Sequence, residues 1–290
     1  MSGACQRDAA SGASHATRDA RRPMRRGVGR RASRVSHALL LVTALACRRD
    51  PAERARPNGA DPAAAPAPAP SPAGAPADLF PVPERPVSSI VSPRWTDEDS
   101  RDDANEADTV LALLDVRTGA QVADVGAGDG YYTVRVARRV GPTGRVYAED
   151  ITARYVAELR ERVRRERLAN VTVVLGEPHD PRLPAAAADI ALLVHMYHEV
   201  EQPYALLYNL AAAMRPGSRV AILDQNRPTG AHGTPPALLR CELTRSGYRE
   251  SAFHPLGPRE YLAVFTPPSA GTITPSQVSA AVRAEPCVVR

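Results

Sequence analysis

Gln121-Val-Ala-Asp-Val-Gly-Ala-Gly-Asp-Gly-Tyr-Tyr-Thr133 decides the fold of this 290-residue chain. It opens with a short apolar run, residues 122–125, interrupted by one acid, Asp124, and this predicts a buried strand. Gly126-Ala127-Gly128-Asp129-Gly130 then turns the backbone, and Tyr131, Thr133, Val134, Val136 and Ala137 continue as a helix. Strand, glycine turn and helix start together form the mouth of a nucleotide-type site. The glycines let the chain reverse sharply and let a ligand approach without a Cβ in its way. Free amides at the helix start supply donors to that ligand.

Asp124 decides which kind of ligand. A carboxylate two residues before the first glycine opposes a doubly charged pyrophosphate but suits a cationic group. S-adenosylmethionine carries an ammonium and a sulfonium, and its ribose diol calls for a second carboxylate at the end of the next strand, about 20 residues on. Arg145-Val-Tyr-Ala-Glu-Asp-Ile151 provides it at Asp150. The spacing Gly-x-Gly-x-Gly also departs from the dinucleotide Gly-x-Gly-x-x-Gly. With Val122-Ala-Asp-Val-Gly-Ala-Gly-Asp-Gly-Tyr-Tyr-Thr133 and Gly144-Arg-Val-Tyr-Ala-Glu-Asp150, the chain resembles the class I S-adenosylmethionine-dependent methyltransferases. The likeness continues through Asp189-Ile-Ala-Leu-Leu-Val194 and Met214-Arg-Pro-Gly-Ser-Arg-Val-Ala-Ile-Leu-Asp224, and covers roughly residues 105–266. It implies an α/β fold: a doubly wound, mostly parallel seven-stranded, Rossmann-like sheet with a reversed terminal strand. It also implies S-adenosylmethionine as cofactor, held by Asp124, Gly126, Ala127, Gly128, Gly130 and Asp150.

The edge of such a sheet supplies the remaining candidates. A third strand is expected at 170–175, and in the family the following loop brings a polar residue to the adenine. Glu177 is the nearest candidate and Asp180 its competitor. Ile190-Ala-Leu-Leu-Val194 is an unbroken apolar run, as a central parallel strand buried on both faces requires. It delivers His195-Met-Tyr-His-Glu199 to the edge where ligands bind. His195 is expected beside the cofactor. His198 and Tyr197 are the candidate catalytic residues, because histidine can take a proton near neutral pH and tyrosine can orient a nucleophile. Polar, glycine-rich residues 225–236 are expected to cover the substrate. Helices are expected at 108–116, 130–139, 152–168, 202–214 and 238–246, with closing strands at 248–253 and 261–265.

Absent motifs narrow the acceptor. No Asn/Asp-Pro-Pro-Tyr and no Pro-Cys nucleophile of the cytosine-C5 type is present, and Cys5, Cys47, Cys241 and Cys287 lack metal-ligand spacing. These absences disfavour DNA and an arsenite-type thiolate site, and no metal ligands are read from the sequence. All 37 basic residues are arginine, a compositional bias rather than a phosphate-binding signal. Residues 1–60 carry about nine more arginines than acids, so the rest of the chain is slightly acidic and nucleic acid is not expected as a partner.

Four segments are expected. Residues 1–47 read as a leader: arginines precede Ala38-Leu-Leu-Leu-Val-Thr-Ala-Leu-Ala46, and Ala44-Leu-Ala-Cys47 resembles a lipoprotein cleavage box. Residues 48–93 are a Pro/Ala-rich disordered linker, 94–266 the methyltransferase domain, and 267–290 a disordered tail. The expected protein is exported and anchored to a membrane through a lipid on Cys47, with a cytoplasmic location as the alternative. Its expected activity is methyl transfer to a small-molecule substrate. An exported, non-catalytic binding protein and a nicotinamide oxidoreductase are the competing readings.

Overall fold

In the computed structural model, residues 73–90 and 97–288 are described; the leader over 1–47 with its Cys47, and the linker before residue 73, lie outside them. Seven strands form one sheet: β1 (Gln121–Val125), β2 (Arg145–Asp150), β3 (Val171–Leu175), β4 (Ala188–Val194), β5 (Met214–Gln225), β6 (Arg249–Pro255) and β7 (Glu260–Thr266). Their order is β3-β2-β1-β4-β5-β7-β6. The first five run parallel, and β7 is antiparallel to both neighbours. The expected α/β sheet is therefore present. Its reversed strand is last in sequence but sits inside the sheet, with β6 at the edge.

Strand alternation divides the core in two. Ala123, Val125, Ala191, Leu193, Val220 and Ile222 face one cluster. Val122, Ile190, Leu192, Ala221 and Leu223 face the other. Helix α5 (Pro203–Ala213) and helix α6 (Pro236–Arg245) supply Leu206, Leu210 and Leu239 to the first. Helices α2 (Glu106–Leu113) and α3 (Tyr131–Val140) supply Leu111, Tyr132 and Val136 to the second. A short α1 (Glu98–Asp103) precedes α2, and α4 (Ala153–Arg165) packs against β2 and β3. Burying both faces is what makes the strands read as near-continuous apolar runs. Pro216 and Gly217, a pair typical of turns, lie within β5: Met214 pairs with Ala188 and Arg219 with Ile190, so the two residues sit at a register shift.

Two expected boundaries are corrected. Residues 267–290 are not a structureless tail, because they contain α7 (Pro275–Ala284). Thr274 and Gln277 form a reciprocal capping box, and Pro275 occupies the first turn, where its missing N–H costs nothing. Val278 and Val282, four residues apart, are buried against Phe80, Tyr204 and Ala205. A disulfide joins Cys287 to Cys241 of α6, with Cα atoms 5.6 Å apart.

The second correction concerns the linker, whose residues 73–90 pack on the domain. Asn209 of α5 accepts from the Ala75 amide at 2.8 Å and donates to the Ala75 carbonyl at 3.0 Å. The Phe80 ring packs tilted against Tyr208, with centroids 5.3 Å apart. Ser279 of α7 donates to the Leu79 carbonyl. Side chains on α5 and α7 thus satisfy a proline-rich backbone that cannot satisfy itself.

Candidate functional site

Order reversal between β1 and β4 opens a crevice at the carboxyl edge of the sheet, the place where ligands bind in doubly wound folds. A cavity of about 430 Å³ lies there, within the range of small-molecule sites. The glycine turn forms one wall. Gly126, Gly128 and Gly130 have φ of 71°, 55° and 93°, conformations that favour glycine. A Cβ at Gly130 would come within 2.5 Å of Leu159. The turn is pinned to the end of β2. The Ala127 amide donates to the Glu149 carbonyl at 2.8 Å, and the Gly128 amide to the Asp150 carboxylate at 2.9 Å. Asp150 also accepts from the Thr152 amide at 2.7 Å, so it holds the turn and the start of α4 together.

Three carboxyl groups face this wall. Asp124 is buried and accepts from the Thr133 hydroxyl at 2.6 Å. Burial pushes its carboxyl up to about 6, the Thr133 hydrogen bond and Arg101 opposing and Asp150 adding. Glu149, the strand neighbour of Asp150, also lines the cavity. At the carboxyl edge the two faces of the sheet converge on the crevice, so alternation no longer separates neighbours. Burial raises the Glu149 carboxyl well above the usual range, and the Asp150 charge adds to this. Its Oε2 accepts from the Gly126 amide at 3.3 Å, while its buried Oε1 has no hydrogen-bond partner. These residues fit S-adenosylmethionine: close backbone approach at glycine and acids for its positive charge.

Further round the cavity, Glu177 and His195 contribute from separate loops. Glu177 pairs with Arg182 and lies 3.7 Å from His179. Asp180 is turned away from the cavity: it is buried and accepts from the Gly74 amide at 2.7 Å. His195 sits in the left-handed region at φ 52°, a strained conformation of the kind that clusters at functional sites. Its Nε2 lies 3.7 Å from Glu106 and 3.6 Å from Glu260. Burial acts to raise the Glu106 carboxyl, but His195 and Arg101 outweigh it and hold the group at about 2.

The two candidate catalytic residues part company. A one-turn 3-10 helix, Tyr197–Glu199, follows β4 and sends neighbouring side chains in different directions. His198 lines the cavity, 3% exposed, with Nδ1 3.0 Å from the carboxylate of Asp224 at the end of β5. Asp224 is itself fixed by the Thr234 hydroxyl and the Gln225 amide, both at 2.7 Å. This holds the imidazole in orientation and leaves Nε2 for the cavity. Tyr197 does not line the cavity, and its expected catalytic placement is corrected. It is fully buried and donates to Glu242 at 2.9 Å, and Glu242 is in turn paired with Arg85 at 2.7 Å. The tyrosine belongs to a polar core network under α6, whose linker and helix partners no local pattern reveals.

Several cavity residues were not singled out from the sequence: Arg101, Glu106, Glu149, Glu199, His232 and Glu260. The Glu next to His198 and the histidine in the glycine-rich loop were the available signals for Glu199 and His232. Arg101 and Glu106 lie in an acidic stretch that reads as an ordinary helix start.

Comparison with known proteins agrees with this geometry. A family described as a methyltransferase domain matches residues 122–217. Over 110 residues the chain is 32% identical to a protein-L-isoaspartate O-methyltransferase of Methanothrix thermoacetophila, covering 38% of this chain and 50% of that one. Over 119 residues it is 26% identical to a demethylmenaquinone methyltransferase of a Geobacillus species, covering 41% and 51%. The chain thus spans about half the length of these curated relatives. In structure, it resembles a SAM-dependent methyltransferase from Aquifex aeolicus, with a TM-score of 0.51, 24% identity, and coverage of 60% of this chain and 100% of that one. The [4+2]-cyclase SpnF superposes with a TM-score of 0.52 at 15% identity, covering 64% and 89%. Residues 122–217 therefore match a methyltransferase domain, and the sheet that carries them has the fold of the S-adenosylmethionine-dependent methyltransferases.

Proposed function

We propose that this protein binds S-adenosylmethionine and methylates a small molecule held on the His198 side of the cavity. The observation that carries the reading is one cavity with two chemically different walls. Glycine amides and the acids Asp124, Glu149 and Asp150 form one; His198, oriented by Asp224, belongs to the other. When bound, S-adenosylmethionine supplies an activated methyl group on a cationic sulfur. The chain's own residues neutralise that charge, orient the acceptor at the His198 edge and exclude water. His198 Nε2 is the group available to activate an acceptor that must lose a proton.

Calorimetry with S-adenosylmethionine tests the cofactor wall. Asp150→Ala removes a charge-assisted partner of the ribose, and affinity should fall by about a hundredfold, or ~3 kcal/mol. Unchanged affinity would refute the assignment. Turnover on a panel of thiol, hydroxyl, amine and carbon acceptors then separates a methyltransferase from a binding protein of the same fold, and nicotinamide titration separates both from an oxidoreductase.

We also infer that the domain works outside the cytoplasm, anchored through Cys47. The leader-like sequence supports this, as does the Cys241–Cys287 disulfide, a bond favoured in oxidising compartments. Membrane-fraction protein that becomes soluble on Cys47→Ser is the expected result; soluble cytoplasmic protein with an intact N-terminus would overturn it.

A further inference from the structure

Two loops from opposite ends of α5 and β5 bring His198, Glu199 and His232 together at the cavity. Their ligand-capable atoms all lie within 4.8 Å of one another. His198 Nε2 is 4.0 Å from Glu199 Oε1, and the His198 and His232 rings stand perpendicular with centroids 5.5 Å apart. Ser88, from the proline-rich segment, joins the two loops. Its amide donates to the His198 carbonyl at 3.1 Å, its hydroxyl donates to the Thr229 carbonyl, and it accepts from the His232 amide at 3.1 Å.

We propose that His198 Nε2, the Glu199 carboxylate and a ring nitrogen of His232 hold a divalent transition-metal ion. Two imidazoles and a carboxylate are a donor set used by catalytic zinc and by non-haem iron, in each case with positions left open. Asp224 on His198 Nδ1 is the outer partner that metal-bound histidines generally have; it fixes the tautomer and makes Nε2 the free donor. Ligands at about 2.1 Å around a tetrahedral ion lie roughly 3.4 Å apart. Closure from at most 4.8 Å therefore needs up to about 1.4 Å of side-chain movement, within reach of Glu199 and His232. The loops themselves are already fixed by Ser88.

With its lone pair on the ion, His198 Nε2 no longer serves as the base, and the ion activates the acceptor instead; it would face the acceptor side of the cavity, which names the acceptor class: a hydroxyl or thiol that binds metal as its anion. The O–H or S–H bond breaks, its electron pair stays on the oxygen or sulfur, and the proton passes to solvent, because the ion lowers the pKa of what it binds. This consequence for the acceptor rests on the methyl-transfer reading; the metal site does not.

The test uses the untagged full chain, stripped with chelator and titrated with Zn²⁺ alone by calorimetry. Co²⁺ absorption gives an independent view of the coordination. One ion per chain is expected. His232→Ala should weaken binding by at least about a hundredfold, and Asp224→Asn by about 10–100-fold. His179→Ala and His254→Ala should leave it unchanged. Absence of stoichiometric binding, indifference to His232→Ala, or an equal loss in His254→Ala overturns the proposal. S-adenosylmethionine affinity is measured on the same samples. Metal binding without it upholds the site and removes only the methyl-transfer reading; cofactor binding without metal overturns the site.

Discussion

Asp124→Asn changes one charge on a side chain that is 2% exposed and alters its shape very little. Burial lifts the native carboxyl from 3.8 to about 6. At about 1.4 kcal/mol per pH unit, that rise corresponds to ~3 kcal/mol. The sign follows from proton linkage. The native state holds the proton more tightly than the unfolded chain, so this group makes wild-type stability fall as pH rises from 3.8 through about 6, and then level off. Asparagine does not titrate. Relative to wild type, the variant should therefore gain about 2.4 kcal/mol between pH ~4 and pH ~8. Any constant cost of re-pairing the Thr133 hydroxyl cancels in that difference. Urea denaturation of both proteins at the two pH values, followed by circular dichroism, measures it. An offset that is the same at both pH values would refute the buried-charge account. The ligand response should have the opposite sign: near pH 8 the variant should bind S-adenosylmethionine more weakly, and lose more for it than for S-adenosylhomocysteine, which lacks the sulfonium charge. Equal losses would assign Asp124 to the ammonium group or to the turn.

Three further outcomes are expected. Glu149→Ala, with its carboxyl in the cavity beside Asp150, should lower S-adenosylmethionine affinity by at least about tenfold in calorimetry; no change would return the ribose role to Asp150 alone. Arg85→Met leaves the buried Glu242 without its cation and should cost about 3–5 kcal/mol in urea denaturation, most of it recovered in Arg85→Met/Glu242→Leu. A loss below about 1 kcal/mol would mean that the pair does not hold the linker segment to α6. Cys287→Ser opens a covalent loop with a sequence separation of 46 and should cost about 2–4 kcal/mol; alkylation of the non-reduced wild type should leave both cysteines unmodified.

Local pattern carried the sheet and the cofactor wall a long way. The run Val122–Val125 around Asp124 and the glycine spacing are consecutive in sequence, and Asp150 ends the next strand, so their chemistry depends on one strand-turn-helix-strand unit. Such features survive in a one-dimensional reading because the backbone itself brings them together. The same reading mistook α7 for tail. Its capping box and its pair of valines four residues apart are short signals set among prolines, serines and threonines, and its stability comes from Phe80 and α5, remote in sequence.

The sequence by itself determined the strands, the glycine turn and the acids beside it, since hydrophobic period and backbone freedom are local properties, and its resemblance to a known family supplied the doubly wound order of the sheet. Only the tertiary structure decided that Glu149 shares the cavity with Asp150, that Tyr197 points into the core while His198 faces the cavity, and that His232 comes to stand against His198. Each of these depends on where a chain turn sends a side chain relative to an element far away in sequence. That direction is set by packing against partners such as Glu242, Asp224 and Ser88, and no local period records it.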